Sequence, residues 1–220
     1  MIILPDAEAA FHHENSFYLT CGTPRMAKAV AHWELFNRVK HLQGAIVECG
    51  VYKGASLCRF AMYREIADGN QNRPIVGFDS FGEFPETEFE GDMELRQRFI
   101  DTAGNSSIST EQLLEVLEKK NCNRSVSLVE GDICQTVPKF VNDNPGFRIA
   151  LLNLDVDIYE PSVTVLEYLF PLIEDGGILI LDDYNSFPGE TKAADDYFKS
   201  TGFNIIPSTE YPSIYFVKKV

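Results

Sequence analysis

Two neighbouring stretches decide the fold class: LLNLDVDIYEPSVTVLEYLFPLI at 151–173 and GGILILDDY at 176–184. Each contains a short, near-continuous apolar run, and a helix-like segment separates the two runs. Both runs end in acidic residues: Asp155 and Asp157, then Asp182 and Asp183. Apolar runs of this kind are typical of central parallel strands that are covered on both faces. The stretch therefore predicts two parallel strands, joined by a helix, with acids at their carboxyl ends.

The same alternation extends through the rest of the chain. Further apolar runs lie at 45–50, 74–79 and 125–132, and helix-like patterns lie at 23–43, 54–67, 109–120, 160–174 and 189–200. Strand–helix alternation without an internal repeat predicts a doubly wound α/β sheet. The tail, 203–220, reads as two antiparallel strands joined by a turn. The polar, acidic segment 83–108 reads as an insertion after the second strand.

Composition excludes some classes of function. The chain has 220 residues, which predicts one domain, and its formal net charge is −14. Such a charge argues against binding to duplex nucleic acid and to an anionic membrane. No apolar segment is long enough for a transmembrane helix, and the start lacks the pattern of a signal peptide. Five scattered cysteines without a C-x-x-C motif predict a reduced, cytoplasmic protein.

Acidic residues follow five successive predicted strands, at the sheet edge where open parallel sheets bind ligands. These residues are Glu48, Asp79, Asp132, Asp155, Asp157, Asp182 and Asp183. Helix capping and turn formation are the alternative explanation for such acids. Their recurrence after each strand favours a ligand site.

The first strand leads into ECGVYKGAS at 48–56, a strand, a Gly-rich turn and the start of a helix. Neither G-x-G-x-x-G nor a P-loop is present, so the turn does not predict a pyrophosphate ligand. A turn that starts with Glu48 suits a cationic or amine head, and Asp79 can accept hydrogen bonds from both hydroxyls of a ribose. The pair predicts S-adenosylmethionine. A nicotinamide-dependent oxidoreductase and a non-catalytic nucleoside-binding α/β domain are the alternatives.

The acids after the last two parallel strands predict a metal site. Adjacent strands place Asp155 within roughly 5 Å of the end of the strand that precedes Asp182 and Asp183. Converging carboxylates repel one another unless they are protonated or metal-bound. An all-oxygen ligand set without His or Cys favours Mg²⁺.

Several stretches together make the chain recognisable: TPRM (23–26), IVECGVYKGAS (46–56), GFDSFGEFPE (77–86), LVEGDICQTVP (128–138), LLNLDVDIYEPSVTVLEYLFPLI (151–173), GGILILDDY (176–184) and PGETKAADDYF (188–198). The chain resembles the macrocin-type sugar O-methyltransferase family. The resemblance implies a class I methyltransferase fold, a Rossmann-like doubly wound sheet that is mostly parallel with a C-terminal antiparallel strand. It also implies S-adenosylmethionine as methyl donor and Mg²⁺ as a required ion.

The resemblance also assigns roles residue by residue. It places the metal on Asp155, Asp182 and Asp183 and the catalytic base on Asp157. The cofactor contacts that it implies are Thr20, Cys21, Glu48, Cys49, Gly50, Val51, Tyr52, Asp79, Ser80 and Phe81. To these we add two residues at the predicted ligand edge, Ser56 in the first turn and Asp132 after the third strand.

Residues 1–22 are expected to form a lid-like segment, and 23–220 a single methyltransferase domain. The sequence leaves the acceptor open between a free sugar, a nucleotide-linked sugar, a glycosylated natural product and a non-sugar diol. It also leaves open a homo-oligomer. His32 is expected to be structural, and Glu190, Asp195 and Asp196 are expected to form the first turn and the solvent face of one helix.

Overall fold

The computed structural model describes residues 2–68 and 72–219; Met1, residues 69–71 and Val220 lie outside the described part. The first residue of the predicted lid-like segment 1–22 and the last residue of the predicted domain 23–220 are therefore not described. The described chain forms a seven-stranded sheet in the order β3-β2-β1-β4-β5-β7-β6. The strands are β1 (Ala45–Cys49), β2 (Ile75–Asp79), β3 (Val126–Glu130), β4 (Ile149–Leu154), β5 (Ile173–Leu181), β6 (Ile206–Pro207) and β7 (Tyr215–Lys218).

Strands β1 to β5 are parallel, and β7 runs antiparallel to β5 and to β6. The prediction of a doubly wound, mostly parallel sheet with an antiparallel C-terminal strand is confirmed. Strand order reverses between β1 and β4, where the two halves of the sheet diverge. Ligands bind at such a switch point, beyond the carboxyl ends of the strands.

Helices cover both faces of the sheet. They are α1 (Ala10–Thr20), α2 (Thr23–Val39), α3 (Ala55–Tyr63), α4 (Glu90–Ala103), α5 (Thr110–Lys119), α6 (Ile133–Asp143), α7 (Tyr159–Tyr168) and α8 (Pro188–Phe198). None of the described helices is both long and apolar enough to cross a bilayer. Successive strand residues supply opposite faces: Ile46 packs with Phe36 of α2, and Val47 packs in the cluster that contains Val165 of α7.

Local signals explain most of the element boundaries. Ser109 and Gln112 form a complete capping box at the start of α5. Helix α7 ends at Tyr168, earlier than predicted, and a short 3₁₀ turn at Phe170–Leu172 leads into β5. Pro171 in that turn has no N–H to continue an α-helix. Strand β5 therefore begins at Ile173, before the glycine pair at Gly176 and Gly177.

Helices α1, α4 and α6 were not predicted. Helix α4 lies within the acidic insertion and buries only Asp92, so its sequence shows no apolar stripe. Helix α6 contains Pro138, which reads as a helix breaker. In the described part of the chain, α1 has no buried residue.

Candidate active site

One cavity of about 760 Å³ opens at the carboxyl ends of β1, β2, β4 and β5. This volume lies in the range of small-molecule sites, which are usually several hundred Å³. The predicted site residues that line it are Gly50, Val51, Tyr52, Ser56, Asp79, Ser80, Asp132, Asp155, Asp157, Asp182 and Asp183. The acids that follow successive strands are therefore brought to one place.

Five residues with predicted cofactor contacts are, among the described residues, outside the cavity wall: Thr20, Cys21, Glu48, Cys49 and Phe81. Glu48 and Cys49 are fully buried in β1, and Glu48 accepts a hydrogen bond from the Ser56 hydroxyl. The Thr20 hydroxyl donates to the carbonyl of Ser16 in its own helix. The cofactor contacts assigned to these five residues stay predictions.

The turn after β1 requires glycine because two backbones meet there. Gly50 has φ +88°, and a Cβ on it would lie 1.7 Å from the carbonyl oxygen of Asp155. The backbone N–H of Asp155 in turn donates to the carbonyl of Cys49 at 2.9 Å. The β1 turn, predicted to bind the cofactor, thus packs directly on the loop that carries the acidic cluster.

Asp79 organises the same turn. Its Oδ2 accepts hydrogen bonds from the backbone N–H groups of Val51 and Tyr52 at 2.7 and 2.9 Å. Its Oδ1 accepts from the N–H of Phe81 at 2.7 Å and from the hydroxyl of Ser107 at 3.1 Å. Tyr52 and Phe81 both have positive φ, a conformation that non-glycine residues rarely adopt outside over-determined sites. Asp79 therefore links the first two strand ends at the cavity floor.

Asp155, Asp182 and Asp183 form the acidic cluster, in which one carboxylate oxygen from each lies within 4.8 Å of the others. Asp155 follows β4, and the other two follow β5. Such a set of hard oxygen ligands fits Mg²⁺. Asp157, with φ +64°, lines the same cavity beside the cluster.

The carboxylates of this region cannot all ionise together without a cation. Burial and the charge of Asp182 raise the pKa of Asp155 well above its usual range. Burial and the charge of Asp157 do the same to Asp183. Burial, with the charge of Asp155, raises the pKa of Asp157 to about 7. Without a metal, the region therefore retains protons that a dication would displace.

Asp182 is the exception because α2 supplies it with two partners. The ammonium of Lys28 binds Oδ2, and the Nε2 nitrogen of His32 lies 3.2 Å from Oδ1. Burial alone would raise the pKa of Asp182, but the His32 hydrogen bond and the charge of Lys28 outweigh it and lower the pKa to about 2. Asp182 is thus the ionised member of the cluster.

His32 is also held on its other side. Arg59 of α3 contacts Nδ1 of His32 at 3.0 Å. A guanidinium only donates, so Nδ1 accepts and the imidazole proton resides on Nε2, aimed at Asp182. Burial lowers the pKa of His32, which keeps the ring neutral. The expectation that His32 is structural did not include its contact with Asp182. The sequence signal that could have indicated this contact is the spacing of Lys28 and His32, which lie four residues apart on one helix face.

Glu190 lies in the first turn of α8, as predicted. It is fully buried there, and its Oε1 accepts the backbone N–H of Asp183 at 3.0 Å. Burial, followed by the charge of Asp183, raises the pKa of Glu190 well above its usual range. Glu190 therefore supports the loop that carries two of the cluster residues.

Comparison with known proteins decides the family. A family model described as Macrocin-O-methyltransferase (TylF) matches residues 15–212 of this chain. The chain belongs to the macrocin O-methyltransferase family.

Individual relatives agree with the assignment of this chain to the macrocin O-methyltransferase family. A Streptomyces olivaceus protein, 8-demethyl-8-(2,3-dimethoxy-alpha-L-rhamnosyl)-tetracenomycin-C 4'-O-methyltransferase, is 31% identical over 144 residues, which are 64% of this chain and 53% of the relative. The chain thus spans about half the length of that relative. Mycinamicin III 3''-O-methyltransferase from Micromonospora griseorubida is 26% identical over 192 residues, 79% of this chain and 71% of that protein.

A solved structure supports the fold as well. The calicheamicin methyltransferase CalS11 superposes with a TM-score of 0.74 at 28% identity, covering 93% of this chain and 83% of that one. Together with the strand order, this similarity identifies the sheet as that of a class I methyltransferase.

Proposed function

We propose that the chain transfers a methyl group from S-adenosylmethionine to a hydroxyl of a sugar or a glycosylated natural product, with Mg²⁺ as the required ion. The observation that supports it most strongly is the acidic cluster in the same cavity as the β1 turn. A methyl donor held over that turn and an acceptor hydroxyl near the cluster would share one cavity, which is what a direct transfer needs.

Asp155, Asp182 and Asp183 would hold the metal. When bound, Mg²⁺ would lower the pKa of an acceptor hydroxyl and make it a better nucleophile. Lys28 would have to leave Asp182 or share it, and His32 would keep the second oxygen of Asp182 fixed. The neutral His32 ring suits this role because it donates one hydrogen bond without adding positive charge beside a dication.

Asp157 would accept the proton. The acceptor oxygen would form a bond to the methyl carbon as the bond from that carbon to the sulfonium breaks, and the hydroxyl proton would pass to the Asp157 carboxylate. Asp157 lies three residues after the end of β4, has φ +64° and lines the cavity. Conformations of this kind are retained where the surrounding structure enforces them.

The turn around Asp79 would hold the methyl donor. Its carboxylate already fixes the N–H groups of Val51 and Tyr52, and it lines the cavity. A carboxylate has about four acceptor sites, and the hydrogen bonds from Phe81 and Ser107 use the other two. A ribose hydroxyl would therefore take the place of the Ser107 hydroxyl, which makes the longest of these four bonds. Asp132, which caps α6 through the N–H of Cys134 at 2.9 Å, lies farther along the same wall.

The names of two relatives guide the choice of acceptor. One methylates a rhamnosyl tetracenomycin, and CalS11 is described as a TDP-rhamnose 3'-O-methyltransferase. We therefore propose a deoxyhexose, carried on a nucleotide or on an aglycone, as the acceptor.

The test is a methyl-transfer assay with isotopically labelled S-adenosylmethionine and a panel of TDP-rhamnose, rhamnosides and simple diols, read by mass spectrometry. Label in a sugar product with Mg²⁺, and none with EDTA, supports the proposal. Label found only in a diol product would change the proposed acceptor from a sugar to a non-sugar diol. No transfer to any acceptor by folded protein that binds the donor would overturn the proposal and favour a non-catalytic binding domain.

A further inference from the structure

The carboxylate of Asp92 joins the two helices that follow the acidic cluster. Asp92 is fully buried in α4, within the acidic insertion. Its Oδ1 accepts the backbone N–H of Gly189 in α8 at 2.7 Å, and its Oδ2 accepts the N–H of Tyr159 in α7 at 3.0 Å. One side chain therefore satisfies N–H groups in the first turns of both helices, which have no partners within those helices.

The position of these two helices gives the contact its significance. Helix α7 starts directly after the loop with Asp155 and Asp157, and α8 starts after the loop with Asp182 and Asp183. The distance between the two helix starts constrains the distance between the loops. An anion between two helix N-termini is also favoured by both helix dipoles.

The sequence around the bridge is adapted to it. A Cβ on Gly189 would lie 1.9 Å from Oδ2 of Asp92 and 2.5 Å from the backbone nitrogen of Tyr159. The close approach of α8 to the carboxylate thus depends on glycine. Phe89 and Tyr159 pack with ring centroids 5.2 Å apart at the same junction.

A second carboxylate links α7 to α4 in the opposite direction. Glu160 of α7 accepts the N–H groups of Glu88 and Phe89 through Oε1, at 2.8 and 3.1 Å. These groups lie at the start of α4, so α4 and α7 each bind the other's N-terminal region through a carboxylate. Helix α4 is therefore held to the starts of α7 and α8 by hydrogen bonds, in addition to its covalent connections at either end.

We infer that Asp92 is a positioning residue, which sets the spacing of the loops that hold the acidic cluster by binding the starts of α7 and α8 together. It acts through those helices and touches neither loop's carboxylates. The inference rests on the proposed function where it concerns the metal, and on the hydrogen bonds alone where it concerns the helices.

The test compares Asp92→Asn and Gly189→Ala with the full-length wild-type protein. Asparagine has the size of aspartate but turns an N–H₂ group toward one of the two N–H donors. We expect Mg²⁺ affinity, measured by calorimetry with the metal alone, to fall about 10-fold, as for other residues that orient metal ligands. We also expect kcat to fall while KM for the methyl donor stays unchanged. Amide exchange should become faster at the starts of both α7 and α8.

Val165→Ala in the buried part of α7 is the control for loss of stability. It should lower the melting temperature and leave Mg²⁺ affinity unchanged. The double variant Asp92→Asn/Gly189→Ala should lose no more affinity than the worse single variant, because both changes break one bridge.

Wild-type Mg²⁺ affinity in Asp92→Asn, or a loss that Val165→Ala reproduces, would overturn the inference. If Asp92→Asn does not fold, Gly189→Ala decides by the same criteria. If the wild-type protein itself neither binds Mg²⁺ nor transfers methyl groups, the proposed function fails. Amide exchange then decides the inference alone: faster exchange at both helix starts supports it, and unchanged exchange at either one contradicts it.

Discussion

The Nε2 nitrogen of His32 lies 3.2 Å from the Oδ1 oxygen of Asp182, although the two residues are 150 positions apart in the chain. Arg59 fixes the opposite nitrogen of the ring, so the hydrogen-bond direction runs from Arg59 through His32 to Asp182. The contact ties α2 and α3 to the end of β5. It makes the orientation of one cluster carboxylate depend on a residue outside the cluster.

His32→Leu should weaken metal binding. Leucine fills the buried space but cannot donate to Asp182, and the loss of a residue that orients a metal ligand costs about 10- to 100-fold in affinity. Calorimetry with Mg²⁺ measures the effect. His41→Leu, at an exposed position, is the control. Equal Mg²⁺ affinities for the two variants would remove His32 from the site.

Lys28→Met should destabilise the metal-free protein and make it more responsive to metal. Without the ammonium, Asp182 loses a charged hydrogen bond, worth about 2 kcal/mol, and the cluster carboxylates repel one another. Urea unfolding with EDTA and with Mg²⁺ gives the free energy of unfolding in each state. Lys139→Met, which breaks only an exposed pair with Asp143, should leave the free energy of unfolding close to that of wild type. A Lys28→Met variant that gains no more stability from Mg²⁺ than wild type would contradict the account.

Asp157→Asn should lower turnover by about 100- to 10,000-fold, the usual contribution of a general base. Binding of S-adenosylmethionine and of Mg²⁺ should stay close to wild type, because Asp157 is assigned to neither ligand. Single-turnover rates and calorimetry measure the two quantities separately. Normal turnover would show that the metal alone activates the hydroxyl.

Asp79→Asn should weaken donor binding by about 10- to 100-fold, the equivalent of one lost hydrogen bond to a charged group. The new N–H₂ group would face backbone donors that Asp79 now binds, so the N–H groups of Val51 and Tyr52 would lose an acceptor that fixes them. Calorimetry with S-adenosylmethionine measures this effect. Mg²⁺ affinity should be unaffected, and a loss of Mg²⁺ binding together with donor binding would indicate general misfolding instead.

The edge of the sheet could be predicted because apolar runs mark where each strand ends. In parallel strands those ends face one way, so Asp79, Asp155 and Asp182 had to lie along one edge of the sheet whatever the helices did. The partners of Asp182 could not be predicted in this way. The face of α2 that packs against a given strand end is set by tertiary packing, which the local sequence does not encode. In the sequence, Lys28 and His32 look like ordinary residues on an amphipathic helix.

The burial of individual acidic side chains could not be predicted from the sequence either. Glu190 was placed correctly in the first turn of α8, but helical position does not tell which side of the helix is covered. Fully buried glutamates and aspartates are rare, so the exposed position was the natural expectation for Glu190 and for the acidic insertion around Asp92. Both residues are instead held by backbone N–H groups that belong to distant segments.

The most direct test of the central claim is calorimetric titration of the full chain with S-adenosylmethionine, followed by a rhamnoside acceptor, in Mg²⁺ and in EDTA. The account predicts that the donor binds in both conditions, because the β1 turn and Asp79 hold it without the metal. It predicts an acceptor signal in Mg²⁺ only. Absence of donor binding to folded protein, or equal acceptor binding in EDTA, would contradict the assignment of this cavity to metal-assisted methyl transfer.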